Sequence, residues 1–275
     1  MDVRDVQLFK LEILKDVIKV CEKHNLTYYL YGGTLLGCIR HNGFIPWDDD
    51  IDIALKWNDY KKLLKILKTE CSKKYFVQNS FTDKEYPCLW TQIRVNGTTS
   101  MPVELKELNM HWGICIDIFP LISLSNDDNE FKKQRKAFAY ARALLAKDFI
   151  EAKKESAVGG QKFINLIPNN IRHFIVNYIF KKYAKESKDD IYISDLYSED
   201  LVKKYKYSDF AEVSVHSFED SEMAIPKNYD SILKECYGDY MKLPPIEERG
   251  GHELLLGETI IDFNKDVVTR SLNLA

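Results

Sequence analysis

The sequence predicts a core of mixed strands and helices, α/β or α+β, with a mainly helical second half. Three observations predict it. Residues 5–23 carry apolar side chains at helical spacing, residues 48–55, 89–95 and 113–119 alternate with period two, and helical spacing dominates from Asn129 onward. The 275 residues suffice for one large domain or two small ones. We expect a core over residues 1–125, and a mainly helical region over 126–275 packed on it and closing its cleft.

In chain order, Val6, Phe9, Ile13, Val17 and Val20 define a first helix over Asp5–Lys23, with His24-Asn25 as its stop. Thr27–Tyr31 is a β-rich run that meets Gly32-Gly33, and Thr34–Arg40 can form one or two helical turns. His41–Trp47 has the Gly and Pro of a loop. Asp48–Leu55 alternates and predicts a strand, and Asn58 is the expected cap of a helix whose Tyr60, Leu63, Leu64 and Leu67 share a face. Leu89–Val95 and Gly113–Phe119 are further strands, the second alternating Ile114, Ile116 and Ile118 with Cys115, Asp117 and Phe119. Helical character follows through Phe131, Phe138, Leu145 and Phe149, and a polar stretch interrupts it at 153–161. A second helix is expected after an Asn170 cap, with Ile171, Phe174, Ile175, Tyr178 and Ile179 as its inner stripe. A short helix over Tyr229–Tyr237 stops at Gly238.

Composition narrows the function classes. Hydrophobic residues make up 45% and charged residues 29%, the balance of a folded globular chain. A net charge of −3 argues against coating nucleic acid. No run approaches the ~18 apolar residues of a membrane span, and MDVRDVQLFK has charges where a signal peptide is apolar. A cytoplasmic protein is expected. Its six cysteines are scattered, without a CxxC pair or a zinc spacing, and read as small core residues.

The densest chemical signal is YGGTLLGCIRHNGFIPWDDDIDIAL, residues 31–55. On a strand, Asp48, Asp50 and Asp52 would project from one face, with neighbours roughly 6.5 Å apart. Carboxylates so placed raise one another's pKa, and a hard divalent cation relieves them. Asp49 would point the other way. A solvated acidic turn is the commoner fate of such a run, but Ile45-Pro46-Trp47 and Ile51, Ile53, Ala54 and Leu55 enclose this one. An EF-hand fails, since counting from Asp48 its sixth and twelfth positions hold Ile53 and Asp59. The Asp-x-Asp clamp of nucleotide-sugar glycosyltransferases survives as a rival. Gly32-Gly33 lets backbone approach a phosphate, and Thr34 begins a helix whose N-terminus favours anions. Neither a P-loop nor GxGxxG is present.

GGTLLGCIRHNGFIPWDDDIDIAL resembles the signature of the LicD-type phosphocholine transferases, related to fukutin and fukutin-related protein. The resemblance continues in LWTQIRVNGTT (89–99), HWGICIDIFPL (111–121) and IPKNYDSILKECYGDYMKLPP (225–245), followed by Arg249 and His252. Cys38 stands where the family more often has a small residue such as Ala.

The resemblance implies an α+β fold for the core, a nucleotidyltransferase-like mixed sheet flanked by helices. It implies that Gly32, Gly33 and Thr34 hold the diphosphate of CDP-choline or another CDP-alcohol. Asp50, Asp52 and Asp117 would be catalytic and, with Asp48, would bind Mg²⁺, with Mn²⁺ as the alternate ion. Asp117 also fits from its strand, as an acid opposite a core-facing row of isoleucines. Arg40 and Arg94 become donor or acceptor contacts, against the surface ion pair that is an arginine's more usual fate, and Arg249 and His252 are placed near the donor. Trp47 and Trp112 flank the acidic strands, where stacking on cytosine competes with the commoner core role. The implied reaction moves phosphocholine, or a related phospho-alcohol, to a hydroxyl of a cell-surface glycan or of a teichoic acid or lipopolysaccharide precursor, releasing CMP. The alternatives are nucleotidyl transfer from a nucleoside triphosphate, a glycosyltransferase, and a binding module whose aspartates are structural. Residues 163–183 join an apolar stripe to Arg172, Lys181 and Lys182, which raises peripheral contact with the inner membrane face, against a plain core or dimer-interface helix.

Overall fold

The computed structural model describes residues 2–152, 161–164, 166–197, 201, 203–250 and 259–265. Helix α1 (Val3–Lys23) forms where the apolar spacing predicts it, started by a reciprocal capping box between Asp2 and Asp5. Its inner face buries Leu11, Ile13, Leu14, Val17 and Ile18, and also two polar residues, Gln7 and Lys10. Each fully buried Leu or Val there contributes about 1.5–3 kcal/mol. β1 (Tyr28–Leu30) passes through Gly32, at φ +52°, into α2 (Gly32–His41). β2 (Asp52–Lys56) pairs antiparallel with β1 and runs directly into α3 (Trp57–Glu70). Next come β3 (Tyr75–Gln78), β4 (Thr91–Val95), β5 (Thr99–Pro102) and the ten-residue β6 (Cys115–Leu124).

The main sheet has the order β1-β2-β6-β4-β3. β2 and β6 run parallel, and their neighbours pair antiparallel. α1, α2 and α3 pack with this sheet around one apolar cluster that includes Leu14, Leu35, Ile53, Leu63 and Ile118. A second cluster lies under α4 (Asp128–Ala152), α5 (Gln161–Ile164) and α6 (Asn169–Tyr183), where Phe138, Leu144, Val176 and Phe180 meet Ile122 and Leu124 of β6. The far half of β6 also pairs with β7 (Tyr192–Ser194), which pairs with β8 (Tyr205–Lys206). A hairpin of β9 (Val213–Phe218) and β10 (Ser221–Pro226) leads to α7 (Tyr229–Tyr237), which ends at Gly238 as expected. β11 (Thr259–Asp262) closes on β5.

Several expectations are corrected. The strand expected over 48–55 begins only at Asp52. Asp48 N–H turns back to Ile45 O at 2.9 Å, and Gln7 of α1 donates to Ile45 O and Asp48 O, at 3.3 and 2.7 Å. A helix side chain thus takes the acceptors that a ladder would have used. Asn58 does not cap α3, which starts one residue earlier, and its N–H donates to Glu186 at 2.9 Å. α6 follows Pro168, whose φ of −57° already suits a helix start, rather than an Asn170 cap.

That helix is also rotated from the expected stripe. Arg172 faces inward, donating to Leu144 O at 2.8 Å and to Asp148 at 2.9 Å, which leaves Ile171, Phe174 and Tyr178 exposed at 46, 73 and 56%. The second half is less helical than expected, since its described residues include five strands. The β9–β10 turn has no Asn-Gly or Asp-Gly signal, because Glu219 itself takes the positive φ of +55°.

Candidate active site

Asp52 opens β2, and Asp117 lies beside it on β6 in parallel register. Their side chains leave one face of neighbouring strands about 4.8 Å apart. The same row continues to Gln92 on β4 and Gln78 on β3. The start of β2 is fixed to the β1–α2 corner, where Tyr31 N–H donates to Asp52 O at 3.0 Å and Asp52 N–H donates to Thr34 Oγ1 at 2.8 Å.

The two glycines explain how close the acids come. A Cβ on Gly32 would lie 2.8 Å from Asp52 Oδ2, and one on Gly33 would lie 2.7 Å from Asp48 Oδ2. Gly-Gly therefore seats two carboxylates on the first turn of α2, where the helix's partial positive charge favours them. Asp48, Asp49 and Asp50 form a tight turn whose carboxylate oxygens lie within 4.8 Å of one another. Asp49 is fully buried, whereas Asp48, Asp50, Asp52 and Asp117 are half-buried and line one cavity of about 470 Å³ together with Gly32 and Gly33. Buried Lys10 of α1 reaches Asp50 at 3.3 Å.

Burial, then the neighbouring Asp117, Asp50 and Asp48 carboxylates, hold the Asp52 carboxyl well above the usual carboxylate range, with Lys10 opposing. These are hard oxygen donors that gain from a cation. Ligands of one Mg²⁺, each at about 2.0–2.1 Å, lie no more than about 4.2 Å apart, so the Asp48–Asp50 turn has nearly the required spacing. The close-spaced oxygens are those of Asp48, Asp49 and Asp50, while Asp52 and Asp117 share the cavity with Asp48 and Asp50. A larger groove of about 600 Å³ between α3 and α6 has no carboxylate in its lining and lacks this chemistry.

The other expected residues divide. Gly32, Gly33 and the four aspartates converge, while Thr34 is buried and its hydroxyl braces Asp52. Arg40 lies near Arg249 and Tyr237, the last a cavity residue, and burial followed by Arg249 lowers its pKa. Its guanidinium donates to His41 Nε2 and Tyr240 O, both at 2.9 Å. Arg249 donates to Pro244 O at 3.0 Å and lies 4.8 Å over the Trp47 ring. Arg94 is buried and outside the cavity lining, donating to Gln78, to Gln92 Oε1 and to Gly113 O. Trp112 is a core residue with Met101, Leu105 and Leu108. His252 lies outside the described residues.

Lys10, Gln7 and the cavity's aromatic residues were not anticipated as site residues. Lys10 and Gln7 had a readable signal, as polar side chains on the apolar face of a strongly amphipathic helix. The aromatic residues had none, because they come from distant segments.

Residues 25–150 match the family described as LicD/FKTN/FKRP, nucleotidyltransferase domain. The chain carries a LicD-family domain. It is 28% identical over 267 residues to the lipopolysaccharide cholinephosphotransferase LicD of Haemophilus influenzae, covering 92% of this chain and 97% of that protein. Over 48 residues it is 42% identical to the ribitol 5-phosphate transferase FKRP of Homo sapiens, covering 18% of this chain and 10% of that protein. This homology supports a phosphotransferase enzyme. Among its described residues no helix is long and apolar enough to cross a membrane.

Proposed function

We propose that this LicD-type enzyme transfers phosphocholine, or a related phospho-alcohol, from a CDP-linked donor to a hydroxyl of a cell-surface glycan or its precursor. The observation that carries the reading is the Asp52–Asp117 pair, in register on parallel strands and opening with Asp48 and Asp50 into a cavity that begins at Gly32-Gly33. That arrangement supports a nucleotidyltransferase-type core. The relative named for choline phosphate transfer spans nearly the whole chain, and the one named for ribitol phosphate transfer matches a short stretch.

Asp48, Asp50, Asp52 and Asp117 would hold Mg²⁺ or Mn²⁺. Bound there, the ion would supply positive charge against the donor diphosphate. The first turn of α2 offers its backbone N–H groups to the same phosphates, and Arg40 and Arg249 supply positive charge near the rim. The acceptor oxygen attacks the distal phosphorus, the bond from that phosphorus to the bridging oxygen breaks, and CMP leaves. The Asp52–Asp117 pair takes the acceptor's proton.

The test is product analysis with Mg²⁺ and a panel of CDP-choline, CDP-ribitol, CDP-glycerol, CTP and UDP-glucose. CMP release from a CDP-alcohol, lost in Asp117→Asn, is the expected result. Pyrophosphate from CTP would instead mean nucleotidyl transfer, and UDP from UDP-glucose a glycosyltransferase; either would overturn the proposal.

A further inference from the structure

The groove between α3 and α6 has a chemistry opposite to that of the acid cavity. Lys61, Lys65 and Lys68 line it at the spacing of one face of α3, over about 10 Å of helix, and Lys181 joins them from α6. None of the four has an ion pair among the described residues, whereas Lys62 of the same helix pairs with Asp59 at 3.2 Å. Partial burial lowers the pKa of Lys68, and no carboxylate opposes that shift. Four ammonium groups around one concavity, in a chain of net charge −3, form a local field that an anion relieves.

Between the lysines the wall is apolar, with Leu64, Leu89, Phe180 and Ala184. Lysine stems can lie along such a wall while their charged ends reach past it. At the α6 edge, Phe174 and Tyr178 each stand about one turn before a groove residue, Asn177 and Lys181, and are 73 and 56% exposed. The groove is separate from the acids. Tyr60 of its wall hydrogen-bonds Thr91 of β4, whose neighbour Gln92 pairs with Asp117, and successive strand residues point to opposite faces of the sheet.

We infer that this groove binds one phosphate-headed lipid from an anionic membrane face, its phosphate on the lysines and the first methylenes of a chain on the apolar wall. A free phosphate would use the lysines and leave the wall in water, and an uncharged chain would leave the lysines without an anion. An amphiphile meets both needs. The exposed Phe174 and Tyr178 at the edge enter the interface beside it and give the lipid a way in. The volume of about 600 Å³ has room for about 20 groups the size of a water molecule, enough for a glycerophosphate head and a few methylenes while the rest of the lipid stays in the bilayer. None of the site aspartates takes part, so the inference is independent of the donor reading above.

Titration calorimetry in EDTA, which keeps divalent ions out of the acid cavity, tests this with three probes. They are dihexanoyl phosphatidate below its micelle concentration, glycerol 3-phosphate as the head without chains, and dihexanoylglycerol as the chains without phosphate. The wild-type protein should bind the phosphatidate at least about 10-fold tighter than either part. Lys65→Glu combined with Lys181→Glu should lose most of that binding, and the same two-charge change on α4, Lys132→Glu with Lys136→Glu, should leave it unchanged. Glycerol 3-phosphate binding as tightly as the phosphatidate overturns the inference in favour of a soluble phosphate, and dihexanoylglycerol doing so leaves an apolar groove only. An equal loss in the α4 variant means general charge attraction and also overturns it. So does wild-type protein that binds the monomer yet fails to co-sediment with phosphatidate vesicles.

Discussion

Gly33→Ala separates the architecture of the acid turn from the stability of the fold. Gly33 has no positive φ, so alanine suits its backbone, and in a helix alanine is favoured over glycine by about 0.5–1 kcal/mol. The added Cβ would lie 2.7 Å from Asp48 Oδ2, whereas ordinary contact begins near 3.4 Å. The carboxylate oxygen, the free end of a side chain, must retreat by about 0.7 Å. A shift of that size moves Asp48 off the spacing it keeps with Asp49 and Asp50.

We expect the Mg²⁺ midpoint for CMP release to rise about 10- to 100-fold, the scale of disturbing a ligand's support. The metal-free melting temperature should hold or rise by about 3 °C or less. Gly32→Ala is the contrast. Its φ of +52° adds about 1–2 kcal/mol of strain, and its Cβ presses on Asp52 instead, so both stability and turnover should fall. A wild-type metal midpoint in Gly33→Ala, or a melting loss equal to that of Gly32→Ala, would refute the reasoning.

Three further outcomes are expected. The folded Asp52 carboxyl sits above its unfolded value, so its contribution to stability is fully present below the unfolded value and lost as pH rises through the folded one. Metal-free melting should therefore weaken with rising pH, Mg²⁺ should stabilise more at neutral than at acid pH, and Asp52→Asn should melt higher without metal while losing at least about 100-fold in CMP release. Lys10→Met removes a buried cation from among the acids. Because Asp50 is 28% exposed, the loss should fall below the roughly 3–5 kcal/mol of a fully buried pair, and Mg²⁺ should recover part of it in denaturant unfolding. If the expected contact with a membrane face is made through α6, it uses the exposed Phe174 and Tyr178 with Lys61, Lys65, Lys68 and Lys181 of the groove between α3 and α6. Co-sedimentation with phosphatidylglycerol vesicles should occur and be lost in Phe174→Glu; wild-type protein left in the supernatant would overturn it.

The elements read correctly from sequence are those whose pattern one local rule generates. α1 and α7 follow apolar spacing and a stop signal, and Asp117 stands out because its strand is otherwise isoleucine on the buried face. The errors arise where a distant side chain decided the outcome. Gln7 holds the Asp48 turn out of the strand, and Arg172, bonded to Asp148 and Leu144, turns α6 away from its expected stripe. In both cases a polar group on a buried surface took backbone or carboxylate partners that hydrophobic periodicity does not register.

The same distinction explains the site. Alternation identified Asp48, Asp50 and Asp52 as a set, yet the set is assembled by a turn and a strand start rather than by one strand face. Gly32-Gly33 suggested close approach of backbone to a phosphate, and the groups the structure brings nearest are the protein's own carboxylates. What periodicity could not supply is the pairing of β4 with β6, which sets Trp90 beside Phe119, and the turn after β7, which brings Tyr197 across 78 residues of chain to meet them. The expected site carboxylates Asp48, Asp50 and Asp52 concentrate charge in a short segment and are visible there.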